Sequence, residues 1–188
     1  MRYFLFYSLF VICILCQNSF GAENAPSAAI IFEVHNILSE LRPLNINELT
    51  ATFEKSTDFD SNNVAAIENL NSWNVFHEVD AYVGYKIYFE FYADVEGEWQ
   101  FDFVYDAGIA SGVLVDKKVI LFSDLDMFID PAKPIVKKVT LAKGWHKFEF
   151  LALENCCGAP IRFRVKKPNS DEFKIVSESE LQLRKVTQ

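Results

Sequence analysis

The sequence has few basic residues and few histidines for its length. Its 188 residues include 18 Lys and Arg against 26 Asp and Glu, so the formal net charge at pH 7 is -8. Proteins that bind nucleic acid or anionic lipid usually do so through a concentrated basic patch. The acidic charge balance of this chain therefore disfavours both kinds of partner. The three histidines, His35, His77 and His146, show no metal-ligand spacing among themselves, and we predict no metal site from them.

Sequence motifs of catalysis are also absent. The chain contains no G-x-S-x-G, H-E-x-x-H or P-loop phrase, which would indicate an esterase-type nucleophile, a zinc protease or a nucleotide-binding enzyme. Paired carboxylates support glycoside hydrolysis in many enzymes, but a chain with 26 acidic residues always offers such a pair. We therefore predict that the protein is not an enzyme.

Long hydrophobic runs are absent except at the amino terminus. There Arg2 precedes the near-continuous apolar run Tyr3–Cys16, and polar and small residues follow up to Gly21. This order is typical of a secretory signal peptide, and we expect cleavage after Gly21. An uncleaved membrane anchor is the alternative, although the run is shorter than the ~20 residues that a helical span needs. We expect the mature protein to be secreted, periplasmic or at the cell surface, without membrane insertion.

Cysteine is scarce, because removal of residues 1–21 leaves only Cys156 and Cys157. An oxidising compartment favours a disulfide, which within the chain would join these neighbours and stiffen the turn from Glu154 to Gly158. So small a ring strains the intervening peptide. Two free thiols, an intermolecular bridge or a soft-metal site are the alternatives. A redox catalyst is disfavoured, because its usual spacing is C-x-x-C.

Aromatic residues, in contrast, are abundant, with 18 Phe and 7 Tyr. In the run Trp99–Phe103 aromatic and polar side chains alternate, which indicates a half-buried strand. The run Tyr82–Tyr92 alternates in the same way, and the segment between the two runs, ending at Gly97, predicts a hairpin.

From Val79 onward the sequence predicts only short strands separated by turns. The eight candidates are Tyr82–Tyr92, Glu98–Tyr105, Ser111–Val115, Val119–Leu121, Ile135–Leu141, Trp145–Leu153, Ile161–Lys166 and Phe173–Val176. Many short strands with Gly and Pro turns predict a mainly β protein, built as an antiparallel β-sandwich or barrel.

The segment before these strands predicts helices. In Ile30–Leu41 the apolar residues recur at spacings of three and four, which indicates an amphipathic helix ending before Pro43. Asn45 and Glu48 have capping-box spacing and predict a second short helix. The polar segment Ser56–Asn74 predicts a surface loop. The expected organisation is a signal peptide (1–21), a lead-in with the amphipathic helix (22–43) and one β-sandwich domain (44–188).

The run from Phe76 to Leu183 resembles the PA14 domain, a jelly-roll-type β-sandwich found in bacterial toxins, glycosidases and yeast adhesins. The resemblance rests on the order of several phrases: Gly97-Glu98-Trp99-Gln100-Phe101, Asp106-Ala107-Gly108, Leu114-Val115-Asp116, Leu141 to Gly144-Trp145-His146, and Leu153-Glu154. It implies a β-sandwich fold and a role in carbohydrate recognition or cell-surface contact.

Within these phrases Asp106, Asp116, Glu154 and Trp145 are the candidate ligand-binding residues. The calcium-dependent lectins of the PA14 family hold Ca²⁺ with two adjacent aspartates, whereas Ala107 follows Asp106 here. We therefore expect no cofactor, with Ca²⁺ at Asp106 as the alternative.

The expected function is that of a non-catalytic exported module that binds glycan or a cell-envelope polymer. The alternative is a structural or adhesion component that contacts a protein partner at the cell surface or in the periplasm. The predicted amphipathic helix Ile30–Leu41 would support the alternative by docking on that partner.

Overall fold

A computed structural model of the chain describes residues 30–37, 41–57, 59–76, 82–124, 127–130, 132–155 and 160–184. The predicted signal peptide (1–21), the lead-in up to residue 29 and the Cys156-Cys157 pair lie outside these residues, so these expectations stay predictions. None of the helices in the described part of the chain is long and apolar enough to cross a membrane.

Two antiparallel sheets make up most of the described structure. The larger sheet contains β1 (Ile30–Asn36), β2 (Phe59–Val64), β3 (Val83–Ala93), β6 (Ala110–Val115), β7 (Lys118–Ser123), β10 (Gly144–Glu154) and β13 (Leu183–Arg184). The smaller sheet contains β4 (Gly97–Val104), β9 (Ile135–Leu141), β11 (Arg162–Lys166) and β12 (Lys174–Ile175). A short separate pair joins β5 (Asp106–Ala107) to β8 (Met127–Phe128).

The strand order is β2-β1-β3-β10-β6-β7 in the larger sheet, where β13 also pairs with β3, and β12-β11-β4-β9 in the smaller. Every pairing within these sheets is antiparallel. The predicted mainly β, antiparallel sandwich is confirmed. The eight predicted strands are all present, and their ends differ from the predicted ones by two residues at most.

Aromatic rings from the two sheets meet in the core. Phe101 on β4 lies 5.5 Å from Phe148 on β10, and Trp99 lies 5.7 Å from Phe91 on β3, measured between ring centroids. All four rings are fully buried. Such aromatic pairs contribute about 0.5–1.5 kcal/mol each beyond the area that they bury. The period-two alternation in the sequence therefore reflects one shared aromatic core.

Helix α1 (Ile46–Lys55) covers part of the outer face of the larger sheet, and α2 (Ser72–Phe76) precedes β3. The predicted helix and its Asn45 cap are confirmed: the Glu48 N–H donates to the Asn45 side chain at 3.0 Å, and the Glu48 carboxylate accepts the N–H of Leu44, the residue before the cap, at 2.9 Å. Gly112 on β6 permits this packing, because a Cβ there would lie 2.3 Å from Ile46 Cδ1.

The prediction of an amphipathic helix over Ile30–Leu41 is wrong. The described part of this segment is β1, which pairs with β2 on one side and β3 on the other. Ile30, Ile31 and Phe32 are all at most 5 % exposed, because both faces of this strand are covered. Apolar residues on both faces remove the period-two alternation, and the remaining pattern imitates helical spacing.

Two shorter predictions also fail. The run Tyr82–Tyr92 and the next strand do not form a hairpin, since β3 belongs to the larger sheet and β4 to the smaller. The turn before Gly97 instead carries the chain from one sheet to the other. The predicted loop Ser56–Asn74 contains the edge strand β2 and the start of α2, although Phe59–Asn63 are exposed as expected of a surface segment.

Candidate functional site

The four candidate ligand residues are divided between the two ends of strand β10. Glu154 is the last residue of β10, and the Asp106 loop lies beside it. Trp145 is the second residue of the same strand, and Asp116 contacts its neighbours His146 and Lys147. Trp145 and Glu154 are nine positions apart along this extended strand, which corresponds to roughly 30 Å. The structure thus brings the candidates together as two pairs and not as one site.

At one end, the loop after β5 packs against the end of β10. The Ile109 N–H donates to the Leu153 carbonyl at 3.0 Å, and the Asn155 side-chain amide approaches the Gly108 carbonyl at 3.5 Å. A Cβ at Gly108 would lie 2.3 Å from Asn155 Oδ1. We call Asp106, Gly108, Glu154 and Asn155 the Asp106 cluster.

Within the Asp106 cluster the side chains differ in exposure. Glu154 is only 3 % exposed, and its Oε1 accepts the Asn155 N–H at 2.8 Å. Asp106 and Asn155 are partly exposed. The buried Glu154 carboxylate therefore fixes the backbone at Asn155, whereas the side chains of Asp106 and Asn155 are partly exposed. Together these groups accept and donate hydrogen bonds, as recognition of hydroxyl groups requires.

At the other end of β10, Asp116 connects the turn between β6 and β7 to the start of β10. Asp116 and Lys117 have φ values of 50° and 64°, as in the two-residue hairpin turn that joins β6 to β7. Asp116 Oδ1 accepts the Lys147 N–H at 2.9 Å, and Oδ2 lies 2.6 Å from His146 Nδ1. His146 Nε2 lies 2.8 Å from the Ala142 carbonyl oxygen. Both ring nitrogens of His146 therefore lie within hydrogen-bond distance of an oxygen atom.

Trp145 presents an aromatic surface at this same end. Its side chain is 38 % exposed, its ring lies 5.4 Å from the Tyr92 ring, and the Arg184 guanidinium lies over it at 4.8 Å. Stacked aromatic and guanidinium groups are common on surfaces that bind other molecules.

The residue after Asp106 is Ala107, which is fully buried and whose side chain carries no ligand atom. Among the described residues, no group of three or more His, Cys, Asp and Glu is placed to hold a metal.

An open groove of about 550 Å³ lies elsewhere, between the end of β1 and α1. Asn36, Arg42, Glu48 and Lys55 are among its lining residues, and none of the four candidate ligand residues lines it. The groove therefore adds no residue to the Asp106 cluster.

Sequence reasoning missed Asn155 and the role of Gly108. Asn155 is an isolated amide next to the cysteine pair, and nothing in its spacing indicates that it meets the Asp106 loop. The only available sign for Gly108 was its place in an aspartate-glycine turn.

Comparisons with known proteins support the fold. A scan against protein-family models and a search of curated proteins found no match. Among solved structures, the PA14 domain of the MpAFP antifreeze protein aligns with 86 % of this chain and 93 % of its own, at 10 % identity and a TM-score of 0.65. The PA14 sugar-binding domain from an RTX adhesin aligns with 85 % of this chain and 99 % of its own, at 11 % identity and a TM-score of 0.64.

A third match is the A domain of epithelial adhesin 9 from Candida glabrata, solved in complex with Galβ1-4GlcNAc. It aligns with 81 % of this chain and 87 % of its own, at 9 % identity and a TM-score of 0.55. Each of the three structures aligns with more than four fifths of this chain. The chain therefore has a PA14-like β-sandwich fold.

Proposed function

We propose that the protein is a non-catalytic, exported binding module that recognises a glycan or a cell-envelope polymer through the Asp106 cluster. The observation that carries the proposal is the meeting of two polar segments at one end of the sandwich, where Gly108, two residues after Asp106, contacts the Asn155 side chain and lies beside buried Glu154. The PA14-like fold adds support, because two of the similar structures are a sugar-binding domain and an adhesin domain bound to a disaccharide.

Recognition in this proposal is direct and needs no metal. The Asp106 carboxylate accepts hydrogen bonds from ligand hydroxyls, and the Asn155 amide both donates and accepts. In this proposal buried Glu154 fixes the backbone at Asn155 and makes no contact with the ligand. Gly108 keeps the loop close to β10, because any larger residue would collide with the Asn155 side chain.

A glycan array tests this proposal, with the protein probed in the presence and absence of a chelator. We expect binding that the chelator leaves unchanged. Asp106→Asn and Asn155→Ala should each weaken glycan binding by about tenfold, or ~1.4 kcal/mol, because the first replaces a charge-assisted hydrogen bond with a neutral one and the second removes a polar contact. Asp171→Asn, which removes the same charge from an exposed loop, is the matched control and should bind as the wild type does.

Three results would contradict the proposal. The array could show no binding under either condition, or the Asp106 and Asn155 variants could bind as well as the control. Binding lost on chelation would instead indicate Ca²⁺ at Asp106.

A protein-contact function is the second candidate, and the exposed Trp145 favours it. Trp and Arg are enriched at the centres of protein interfaces, and Trp145 lies under Arg184 on an open part of the larger sheet. The helix once expected over Ile30–Leu41 no longer supports this function, because that segment is a strand within the sheet. Crosslinking on intact cells should recover a partner with the wild type and lose it with Trp145→Ala; equal recovery would reject this candidate.

A further inference from the structure

The outer face of the smaller sheet carries charged side chains in place of the aromatic ones on its inner face. Because Trp99, Phe101 and Phe103 point into the core, their neighbours Glu98, Gln100 and Asp102 point outward. The strand register places Arg164 of β11 opposite Asp102, and Lys138 of β9 opposite Gln100. Arg162 and Lys166 follow on the same side of β11, two residues to either side of Arg164. We call these residues the outer face.

The outer face has the opposite charge to the chain as a whole. It holds four cations (Lys138, Arg162, Arg164 and Lys166) and two carboxylates (Glu98 and Asp102), an excess of two positive charges in a chain of net charge -8. The three β11 cations form a straight row about 13 Å long, since alternate residues of a strand lie ~6.6 Å apart. This concentration of positive charge on one sheet face complements a linear anionic ligand.

Only part of this positive charge is neutralised within the protein. Arg164 Nη2 lies 2.5 Å from Asp102 Oδ2, and Lys138 Nζ lies 2.8 Å from Glu98 Oε1. Within the described part of the chain, Arg162 and Lys166 form no ion pair with a carboxylate. These two cations at the ends of the row are therefore available for an anion.

Buried polar atoms on the outer face also need both kinds of hydrogen-bond partner. The Nε atoms of Arg162 and Arg164 are donors without an acceptor among the described residues. Asp102 Oδ1 is an acceptor without a donor in the same part of the chain, although Asp102 is only 1 % exposed. Buried polar groups are normally hydrogen-bonded, but these three atoms are closed to solvent, so a ligand binds only the exposed parts of the outer face. The Phe173 ring, 5.4 Å from Lys166 Nζ, borders the row with an apolar surface.

We propose that the outer face is a second binding surface and that it binds an acidic polysaccharide of uronic-acid type. The sugar carboxylates pair with Arg162 and Lys166 at the two ends of the row. The sugar hydroxyls donate to the amide oxygen of Gln100, which is partly exposed on the same face, either directly or through water. An acidic peptide supplies the carboxylates but few hydroxyl donors, so it matches only half of this chemistry. The proposal does not depend on the Asp106 cluster.

Binding of polygalacturonate, measured by calorimetry at low salt, tests the proposal. The test variant is Arg162→Gln with Lys166→Gln. The matched control is Lys117→Gln with Lys143→Gln, which removes two equal charges from exposed turns. We expect the test variant to bind at least about tenfold more weakly and the control to stay within about twofold of the wild type. Thermal unfolding confirms that both variants are folded.

Further binding measurements distinguish an acidic polysaccharide from other polymers, and the outer face from the Asp106 cluster. Neutral dextran should not compete, and polyglutamate should bind more weakly than polygalacturonate. Asp106→Asn should leave polygalacturonate binding unchanged, which keeps this test independent of the proposed glycan site. No binding by the wild type, an equal loss in both double variants, equal binding of polyglutamate, or a comparable loss in Asp106→Asn would each overturn the proposal.

Discussion

Glu33 on β1 is the most informative residue for a stability measurement. It is only 4 % exposed, and it accepts hydrogen bonds from the Tyr88 hydroxyl at 2.8 Å and from His35 Nε2 at 3.0 Å. Lys86 Nζ lies 3.3 Å from the same carboxylate. Burial by itself raises the pKa of Glu33, but the hydrogen bonds from His35 and Tyr88 and the charge of Lys86 outweigh it and hold the pKa below its usual 4.5. The charged carboxylate therefore stabilises the fold.

Replacing Glu33 with Gln keeps the shape and removes the charge. The amide oxygen of Gln still accepts the Tyr88 hydroxyl. The amide NH₂ group, which is itself a donor, then faces His35 and Lys86, which both donated to the carboxylate, so both of these contacts are lost. Hydrogen bonds to charged groups contribute about 1.5–3 kcal/mol each, and Lys86 is partly solvated, which reduces the loss on its side. We expect Glu33→Gln to lower the free energy of unfolding by about 2–4 kcal/mol at pH 7.

The effect should depend on pH in a defined direction. A carboxyl whose pKa is lowered in the folded state stabilises the protein above the pKa of the unfolded chain and loses this contribution as the pH falls through the folded value. The difference between wild type and Glu33→Gln should therefore be full at pH 7 and should shrink below the usual value of 4.5.

Urea unfolding followed by tryptophan fluorescence at pH 7 and at about pH 3 provides the measurement. The matched control is Glu98→Gln. The Glu98 carboxylate pairs with Lys138 on the exposed outer face of the smaller sheet, so its removal should leave the unfolding midpoint unchanged. Equal midpoints for wild type and Glu33→Gln at pH 7 would refute this reasoning. A difference that is the same size at both pH values would refute the electrostatic part of it.

Three other measurements test single contacts. Burial raises the pKa of Tyr105 to about 12, against a smaller opposing effect of its hydrogen bond to Ser111. Because the raised pKa favours the neutral form, the stabilisation from neutral Tyr105 is complete below pH 10.0 and is lost as the pH rises through about 12. Ultraviolet titration should show one tyrosine that ionises at higher pH than the others. Ionisation of all tyrosines near pH 10 would contradict this prediction. Asn45→Ala removes the α1 cap and should cost about 1 kcal/mol in urea unfolding; an unchanged midpoint would argue against the cap. Gly112→Ala pushes against Ile46 and should cost roughly 1–3 kcal/mol, part of which Ile46→Ala should restore; absence of rescue would show that the collision is not the cause.

Local sequence patterns predicted much of the secondary structure, because those patterns record which side of a strand is buried. The alternation in Trp99–Phe103 corresponds to β4, whose aromatic residues are fully buried. The same rule misled for Ile30–Asn36, where both faces are covered and the alternation disappears. Asp102 was expected to point to solvent, and it does point outward, but Arg164 lies against it and leaves it buried.

The candidate site was harder to predict than the strands. Asp106 and Glu154 were named from matching phrases, and the structure does place their loops together. Asp116 and Trp145 came from the same phrases but lie at the other end of β10. A sequence motif shows where a residue lies along its own strand. The end of the sandwich at which that residue lies depends on the direction in which the strand runs, which the motif does not show.

The sequence by itself determined where the main strands from β3 onward lie, where α1 begins and which rings enter the core, because alternation and capping act over a few neighbouring residues. Only the tertiary structure decided that β3 and β4 belong to different sheets, that β1 lies between two partners, and that Asn155 meets Gly108. These outcomes depend on hydrogen bonds and burial between segments far apart in the chain, which no local pattern encodes.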